Sequence, residues 1–298
     1  MSTGAALRPS AGQWWAGARP RTLPAAVAPV LAGSGVAWFY DGFVGPRAAL
    51  ALVVSLALQV GVNYANDYSD GIRGTDADRV GPLRLVGSGL ARPAAVRSAA
   101  FGCFAVASTA GLVLVVLTGF WWLLGVGVAC VLAAWFYTGG RRPYGYLGLG
   151  ELFVFVFFGL VAVGGTVYVQ LGRLPVAGLV TGVAIGALAC ALLVVNNLRD
   201  LDGDARVGKR TLATRIGDRG TRITFLLLVT LAAAMVVVLA ALTSWWALLG
   251  LVGIAMVGPA VRTVLRGARG PELIGVLQTT GLAELLCAVG VTVGLITG

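Results

Sequence analysis

The chain has 298 residues, 58% of them hydrophobic and 11% charged, with 44 glycines and a formal net charge of +10. A soluble domain carries roughly 45–50% apolar and about 25% charged residues, so this composition excludes an ordinary globular or disordered protein and indicates a chain embedded in lipid. Histidine is absent, which excludes a Ser-His-Asp triad, a His-ligated zinc or haem and a His general base, and leaves catalysis to carboxylates, amides, cations and a metal.

No polar stretch is long enough for a separate extramembrane domain. Residues 1–298 therefore read as a single membrane domain, with 1–22 as a cytoplasmic N-terminal segment. The first apolar run follows Arg19 and Arg21 and lacks a small-residue cleavage site, so it reads as a span and not as a signal peptide. A membrane-spanning helix needs about 20 mostly apolar residues. That criterion predicts nine spans: Leu23–Tyr40, Ala48–Val62, Val96–Thr118, Phe120–Tyr137, Leu147–Val169, Val176–Val195, Ile223–Leu242, Trp245–Val261 and Leu273–Thr297. The second is short unless its helix runs on through Asn63–Asp70, which is expected. The Thr118-Gly119 break predicts a hairpin of the third and fourth helices. Trp14, Trp15, Trp121, Trp122, Trp245 and Trp246 fall near predicted ends, where amphipathic rings favour the headgroup zone. Cys103, Cys130, Cys190 and Cys287 lie inside apolar runs without CxxC spacing and read as packing residues.

With the N-terminus inside, 20 of the 22 Lys and Arg residues fall in cytoplasmic segments, and only Arg47 and Arg173 lie outside. This is the positive-inside asymmetry of a multi-pass protein of the cell membrane. It accounts for the basic balance without nucleic acid, leaving anionic headgroups and an anionic substrate as the partners of that charge.

Only 12 residues are acidic, and seven of them crowd into two cytoplasmic loops. The first loop is NYANDYSDGIRGTDAD, with Asn63, Asn66, Asp67, Asp70, Asp76 and Asp78. The second is NNLRDLDGDARVGKRTL, with Asn196, Asn197, Asp200, Asp202, Asp204 and Lys209, the only lysine. At about 100° per residue, Asn63, Asn66, Asp67 and Asp70 share one face if the helix persists. Asn196, Asp200 and Asp204 form a second stripe, with Asp202 pointing away into solvent. Carboxylates one turn apart repel, and acids at a membrane boundary are costly unless they serve a function. Hard oxygen donors without His or Cys suit Mg²⁺, which keeps several waters and bridges to substrate phosphates. Two such loops facing each other would hold a diphosphate through Mg²⁺, with Lys209 and arginines on its free oxygens.

Asn66-x-x-x-Asp70 with Asp76, and Asp200-x-x-x-Asp204, resemble the two Asp-rich motifs of the UbiA superfamily of intramembrane prenyltransferases. Four stretches are most similar to the branch that prenylates 1,4-dihydroxy-2-naphthoate in menaquinone biosynthesis: ARPRTLPAAVAPV, NYANDYSDGIRGTDADRVGPLR, YTGGRRPYGYLGLGE and NNLRDLDGDARVGKRTLATRIG. The resemblance implies an all-α bundle around a central cavity, capped on the cytoplasmic side by the two loops. It implies Mg²⁺, a polyprenyl diphosphate donor and an aromatic acceptor. Asn66, Asp70, Asp200 and Asp204 would hold the metal and diphosphate, with Asp67 and Asp76 in the catalytic set. Asn63, Asn196, Arg142, Tyr144 and Lys209 would contact substrate. Glu151 and Glu284 read either as substrate contacts or as buried packing acids. Two rivals stay open: an acceptor such as 4-hydroxybenzoate, and a multi-pass transporter, whose site would more usually lie at broken helices near the midplane.

Overall fold

The computed structural model describes residues 9–74 and 83–298, and among these every regular element is helical. Asp76 and Asp78 lie outside the described residues. In chain order the helices are α1 (Ala11–Gly17), α2 (Pro24–Phe39), α3 (Gly45–Arg73), α4 (Pro93–Thr118), α5 (Leu123–Phe136), α6 (Gly150–Val154) and α7 (Ala162–Leu171). They continue with α8 (Val176–Arg199), α9 (Leu201–Arg206), α10 (Leu212–Leu242), α11 (Gly250–Ala255), α12 (Gly258–Leu265) and α13 (Leu273–Thr297).

Six helical stretches are long and apolar enough to cross a membrane, and eight spans result if each of two bent pairs counts as one. The pairs are Ala11–Thr22 with Pro24–Phe39, bent by 49°, and Trp245–Ala255 with Gly258–Leu265, bent by 43°. Pro20 and Pro24 stand at the first break and Pro259 at the second, where a missing N–H and a fixed φ end one helical run and start another. The predicted fourth span is the 14-residue α5. At 1.5 Å per residue it reaches about 21 Å, short of the roughly 30 Å hydrocarbon layer.

α8 is the most buried of the candidate spans, at 72% of its apolar window. It is apolar on every side, as a helix at the centre of a bundle must be. Its Ile185, Leu188 and Val195 pack in one core with Phe225 and Val236 of α10 and Cys287 and Val291 of α13. Glu284 of α13 is fully buried there, with no hydrogen-bond partner among the described residues.

Three local features shape the site. α3 runs unbroken from the apolar stretch through Asp70 and ends at Gly74, whose φ of 71° caps the helix, so the predicted extension is present. Between α6 and α7 the chain adopts a π-helix over Phe155–Val161. At Gly159 an added Cβ would sit 2.6 Å from the Gly182 carbonyl oxygen, so only glycine permits this approach of the π segment to α8. The wider turn leaves Phe153, Phe157 and Phe158 all on one cavity wall. The predicted helical stripe Asn196–Asp200–Asp204 is interrupted: α8 stops at Arg199, and Asp200 (φ −92°, ψ 2°) starts α9. The Asp-Leu-Asp-Gly-Asp stretch has weak helix propensity, so the chain turns where the apolar run of α8 has ended. Asp200 and Asp204 remain one turn apart, because the Asp204 N–H donates to the Asp200 carbonyl at 2.8 Å.

Candidate active site

A cavity of about 1050 Å³ is walled by residues of α3, α4, α5, α7 and α8, among other elements. Its wall is polar where the two Asp-rich segments meet, with Asn63, Asn66, Asp70, Asn196, Arg199 and Lys209. Elsewhere it is lined mainly by aliphatic and aromatic side chains such as Leu58, Val115, Val131 and Phe157.

On the α3 side, Asp70 is buried and accepts a hydrogen bond from the Tyr146 hydroxyl at 2.7 Å, with the Arg84 guanidinium 3.6 Å away. Asn66 accepts from the Thr138 hydroxyl at 2.7 Å. Asn63 donates to the Ala18 carbonyl at 2.9 Å and to the Thr22 hydroxyl at 3.0 Å, tying α3 to the N-terminal segment. Asp67 differs from its neighbours. Its two oxygens accept from the backbone N–H groups of Leu85 (2.7 Å) and Val86 (3.0 Å), and it is not part of the cavity wall.

On the α8–α9 side, Arg199 donates from Nε and Nη2 to the two oxygens of Asp200, both at 2.7 Å, and from Nη2 to Asn196 at 2.9 Å. Arg199 and Asn196 reach the cavity wall, whereas Asp200 and Asp204 stand just behind it. The Lys209 ammonium lies 3.5 Å from Asp204, and the Lys209 N–H donates to the Asp204 carbonyl at 2.9 Å. Asp202 is exposed, as its helical face predicts.

The loop between α5 and α6 joins the two sides. The Tyr146 ring, whose hydroxyl holds Asp70, faces Lys209 at 5.1 Å and Arg73 at 5.5 Å from its centroid. Both cations thus meet one aromatic ring, an arrangement each favours by about 0.5–2 kcal/mol. Tyr144 lines the cavity, donates to the Ala133 carbonyl at 2.7 Å and stacks on Phe153 at 4.0 Å. Burial pushes its phenol well above the ordinary tyrosine range, so it stays protonated. Arg142 is exposed and contributes nothing to the cavity wall. The turn after Pro143 directs tyrosines inward and leaves Arg141 and Arg142 exposed, where a guanidinium avoids the cost of burial. Glu151 accepts from the Asn197 amide at 2.8 Å and, like Glu284, is not among the residues lining the cavity.

Sequence reasoning missed Tyr146, Arg199, Thr138 and Gln59 as wall or joint residues. Tyr146, Thr138 and Arg199 sit inside the quoted motif strings, but no spacing rule separates Tyr146 from Tyr144 or singles out Thr138. Gln59 carries no local signal.

The donor set suits a magnesium diphosphate. Its members are carboxylate and amide oxygens with cations alongside, and among the described residues no three carboxylates form a closed cage. Mg²⁺ typically takes one or two carboxylates, with water and substrate phosphate filling its other positions.

Residues 26–272 match the model of the UbiA prenyltransferase family. The chain is 53% identical to the 1,4-dihydroxy-2-naphthoate octaprenyltransferase of Mycobacterium tuberculosis, over 97% of this chain and 98% of that one. Among solved structures it resembles a UbiA homolog from Aeropyrum pernix K1 with a TM-score of 0.67 and 15% identity, over 92% of this chain and 97% of that one. A UbiA homolog from Archaeoglobus fulgidus bound to GPP and Mg²⁺ gives 0.61 and 13% identity, over 96% and 100% of the two chains. These two structural likenesses speak for the fold alone. With the family model covering most of its length and a near-full-length relative at that identity, the chain belongs to the UbiA prenyltransferase family.

Proposed function

We propose that this protein transfers a polyprenyl chain from polyprenyl diphosphate to 1,4-dihydroxy-2-naphthoate with loss of CO₂. The observation that carries this reading is a cavity with an Asp, Asn and Lys wall where the two motifs meet and apolar walls beyond, in a chain so close to a naphthoate octaprenyltransferase. The polar end suits a diphosphate and the apolar length a polyprenyl tail. Against the transporter alternative, Asp70 lines the polar end of the cavity, and Asp200 and Asp204 pair with Arg199 and Lys209 of that same end.

Asn66, Asp70, Asp200 and Asp204 would hold Mg²⁺ with the diphosphate, in keeping with the GPP and Mg²⁺ bound by the Archaeoglobus fulgidus homolog. When bound, the ion supplies Lewis-acid neutralisation of diphosphate oxygens. Lys209, Arg84 and Arg199 take up charge on the departing diphosphate as the C–O bond breaks and its electron pair leaves with oxygen. The apolar wall, including the Tyr144, Phe153 and Phe157 rings, excludes water that would capture the allylic cation. The ring carbon bearing the carboxylate forms the new C–C bond. The carboxylate then leaves as CO₂, and its bonding pair restores the aromatic ring. Asp67 would serve this site indirectly, by pinning Leu85 and Val86 so that Arg84 stays near Asp70.

Product mass tests the reading. Purified protein offered an all-trans polyprenyl diphosphate should convert 1,4-dihydroxy-2-naphthoate to a prenylated naphthalenediol lacking the carboxyl group. 4-Hydroxybenzoate should be a poor acceptor, since the missing ring removes apolar burial worth about 25 cal/mol per Å². A carboxyl-retaining prenylated benzoate as the preferred product would overturn the naphthoate assignment.

The same reading places nine spans in the cell membrane, with the N-terminus and both Asp-rich segments cytoplasmic. In a background without the four native cysteines, Asp202→Cys should label only from the cytoplasm and Arg173→Cys only from outside. Labelling of Asp202→Cys from the outer face would refute the orientation.

A further inference from the structure

Asn197 stands on α8 beside Asn196, at the polar end of the cavity, and it lines the wall. Its side chain is tied from behind. Glu151 of α6, which does not line the cavity, accepts from Asn197 Nδ2 through Oε1 at 2.8 Å. An ionised carboxylate accepts such a hydrogen bond, and so does the carbonyl oxygen of a neutral acid. The two polar atoms of an amide sit on opposite branches of one planar group. With Nδ2 turned back to Glu151, Oδ1 is the branch left for the cavity. It accepts nothing among the described residues, and it is not sealed off as the buried Glu151 Oε2 is. Asn197 is otherwise buried, so the surface that Oδ1 keeps belongs to the cavity it lines.

An open acceptor selects what can donate to it. The wall nearby is apolar and flat. Leu193 lies one turn earlier on α8, and α6 carries Phe153 two residues beyond Glu151, its ring stacked on Tyr144 at 4.0 Å. A polyprenyl tail carries no polar hydrogen, and an ionised diphosphate is itself an acceptor. Mg²⁺ takes one or two carboxylates with water and phosphate, a set that the Asp residues supply. A ring hydroxyl of the aromatic substrate brings both the proton and a flat apolar body. In 1,4-dihydroxy-2-naphthoate the 1-hydroxyl is ortho to the carboxylate and donates to it internally. The 4-hydroxyl is the one whose proton is free for the protein.

We propose that Asn197 Oδ1, oriented by Glu151, accepts a hydrogen bond from the ring hydroxyl remote from the carboxylate and so selects the aromatic substrate. The proposal rests on the reading of this cavity as the site of an aromatic prenyltransferase. Asn197 is a binding and specificity residue in this scheme, and Glu151 is its positioning residue. Neither takes part in diphosphate departure.

The test compares inhibition constants, so the analogues need not react. Full-length protein prenylating 1,4-dihydroxy-2-naphthoate is challenged with 4-hydroxy-2-naphthoate, which keeps the remote hydroxyl, and with 1-hydroxy-2-naphthoate, which lacks it. The wild type should bind the first about tenfold more tightly, the scale of one hydrogen bond in a buried site. Asn197→Leu keeps the branched shape and removes the acceptor. It should bring the two constants within about twofold and raise the acceptor KM about tenfold, with the KM for prenyl diphosphate and the Mg²⁺ requirement unchanged. Glu151→Leu leaves Asn197 in place but frees its amide to turn, and it should cut the preference by about threefold or more. This second variant removes a carboxyl with one unpartnered buried oxygen, and it decides the matter if Asn197→Leu does not fold. Equal binding of the two analogues by the wild type, or a preference undiminished in the variants, would overturn the proposal. So would a rise in donor KM or Mg²⁺ requirement equal to the rise in acceptor KM, which would place Asn197 with the metal diphosphate. If the wild type prenylates 4-hydroxybenzoate and not the naphthoate, comparing 4-hydroxybenzoate with benzoate in the same variants decides the role of Asn197, and only the naphthoate reading falls.

Discussion

Asp70→Asn and Asp204→Asn are each expected to lower turnover by at least about 10², the scale of removing one electrostatic stabiliser from a preorganised site. Each change deletes one negative charge and keeps the shape. The amide oxygen introduced at position 70 would still accept from Tyr146, and position 204 would keep its backbone bond to Lys209. Folding should therefore be little affected, and the melting temperature should move by only a few degrees. The loss appears in kcat and in the Mg²⁺ concentration needed for half-maximal rate. Tyr146→Phe belongs to the same series. It removes the hydrogen bond to Asp70 while leaving the ring that faces Lys209 and Arg73, so a smaller loss of about tenfold is expected. Asp202→Asn is the internal control: Asp202 is exposed, and its loss should be nearly silent. A control as damaging as Asp204→Asn would show that the α9 face has been misassigned.

Withdrawal of divalent cations is expected to abolish turnover, by more than about 10², and added Mg²⁺ should restore it. The reason lies in the charges around the polar end. Asp70, Asp200 and Asp204 stand close to where a diphosphate would sit, and the nearby Arg84, Arg199 and Lys209 are each already within ion-pair distance of one of them. Cations so engaged compensate the carboxylates first, and an incoming diphosphate meets acidic side chains unless a further positive charge accompanies it. Direct binding of prenyl diphosphate to purified protein should accordingly fall in EDTA, independently of catalysis. Undiminished donor binding and turnover in protein shown by elemental analysis to be free of divalent metal would sink the metal assignment.

Local information carried the reading far at the first motif. Asn63, Asn66 and Asp70 lie on one helix with a fixed period, so their common approach to the cavity follows from spacing once α3 is known to persist. Persistence itself was legible, because the apolar run before Asn63 is too short to cross a membrane alone. Asp67 shows the limit of that reasoning. It shares nearly the same face, yet the fold draws its carboxylate to the backbone of Leu85 and Val86, 18 and 19 residues away in sequence. No periodicity announces such a contact.

The sequence by itself determined the membrane class, the helical content, the positions of the apolar runs, the pairing of two acidic segments and the family they resemble. The first four depend on composition, on a 3.6-residue repeat or on charge placement along the chain, and the resemblance on short motif strings, all of which are local quantities. Only the tertiary structure decided which side chains meet. It bent the chain at prolines just ahead of the first run and within the eighth, broke the second acidic stripe at Asp200 and set Tyr146 between Asp70, Lys209 and Arg73. It also left Arg142 exposed and turned the Gln59 carbonyl away from Thr22. Those outcomes rest on contacts between residues far apart in the chain, where a shared aromatic ring or a glycine-sized gap selects one arrangement that no local pattern records.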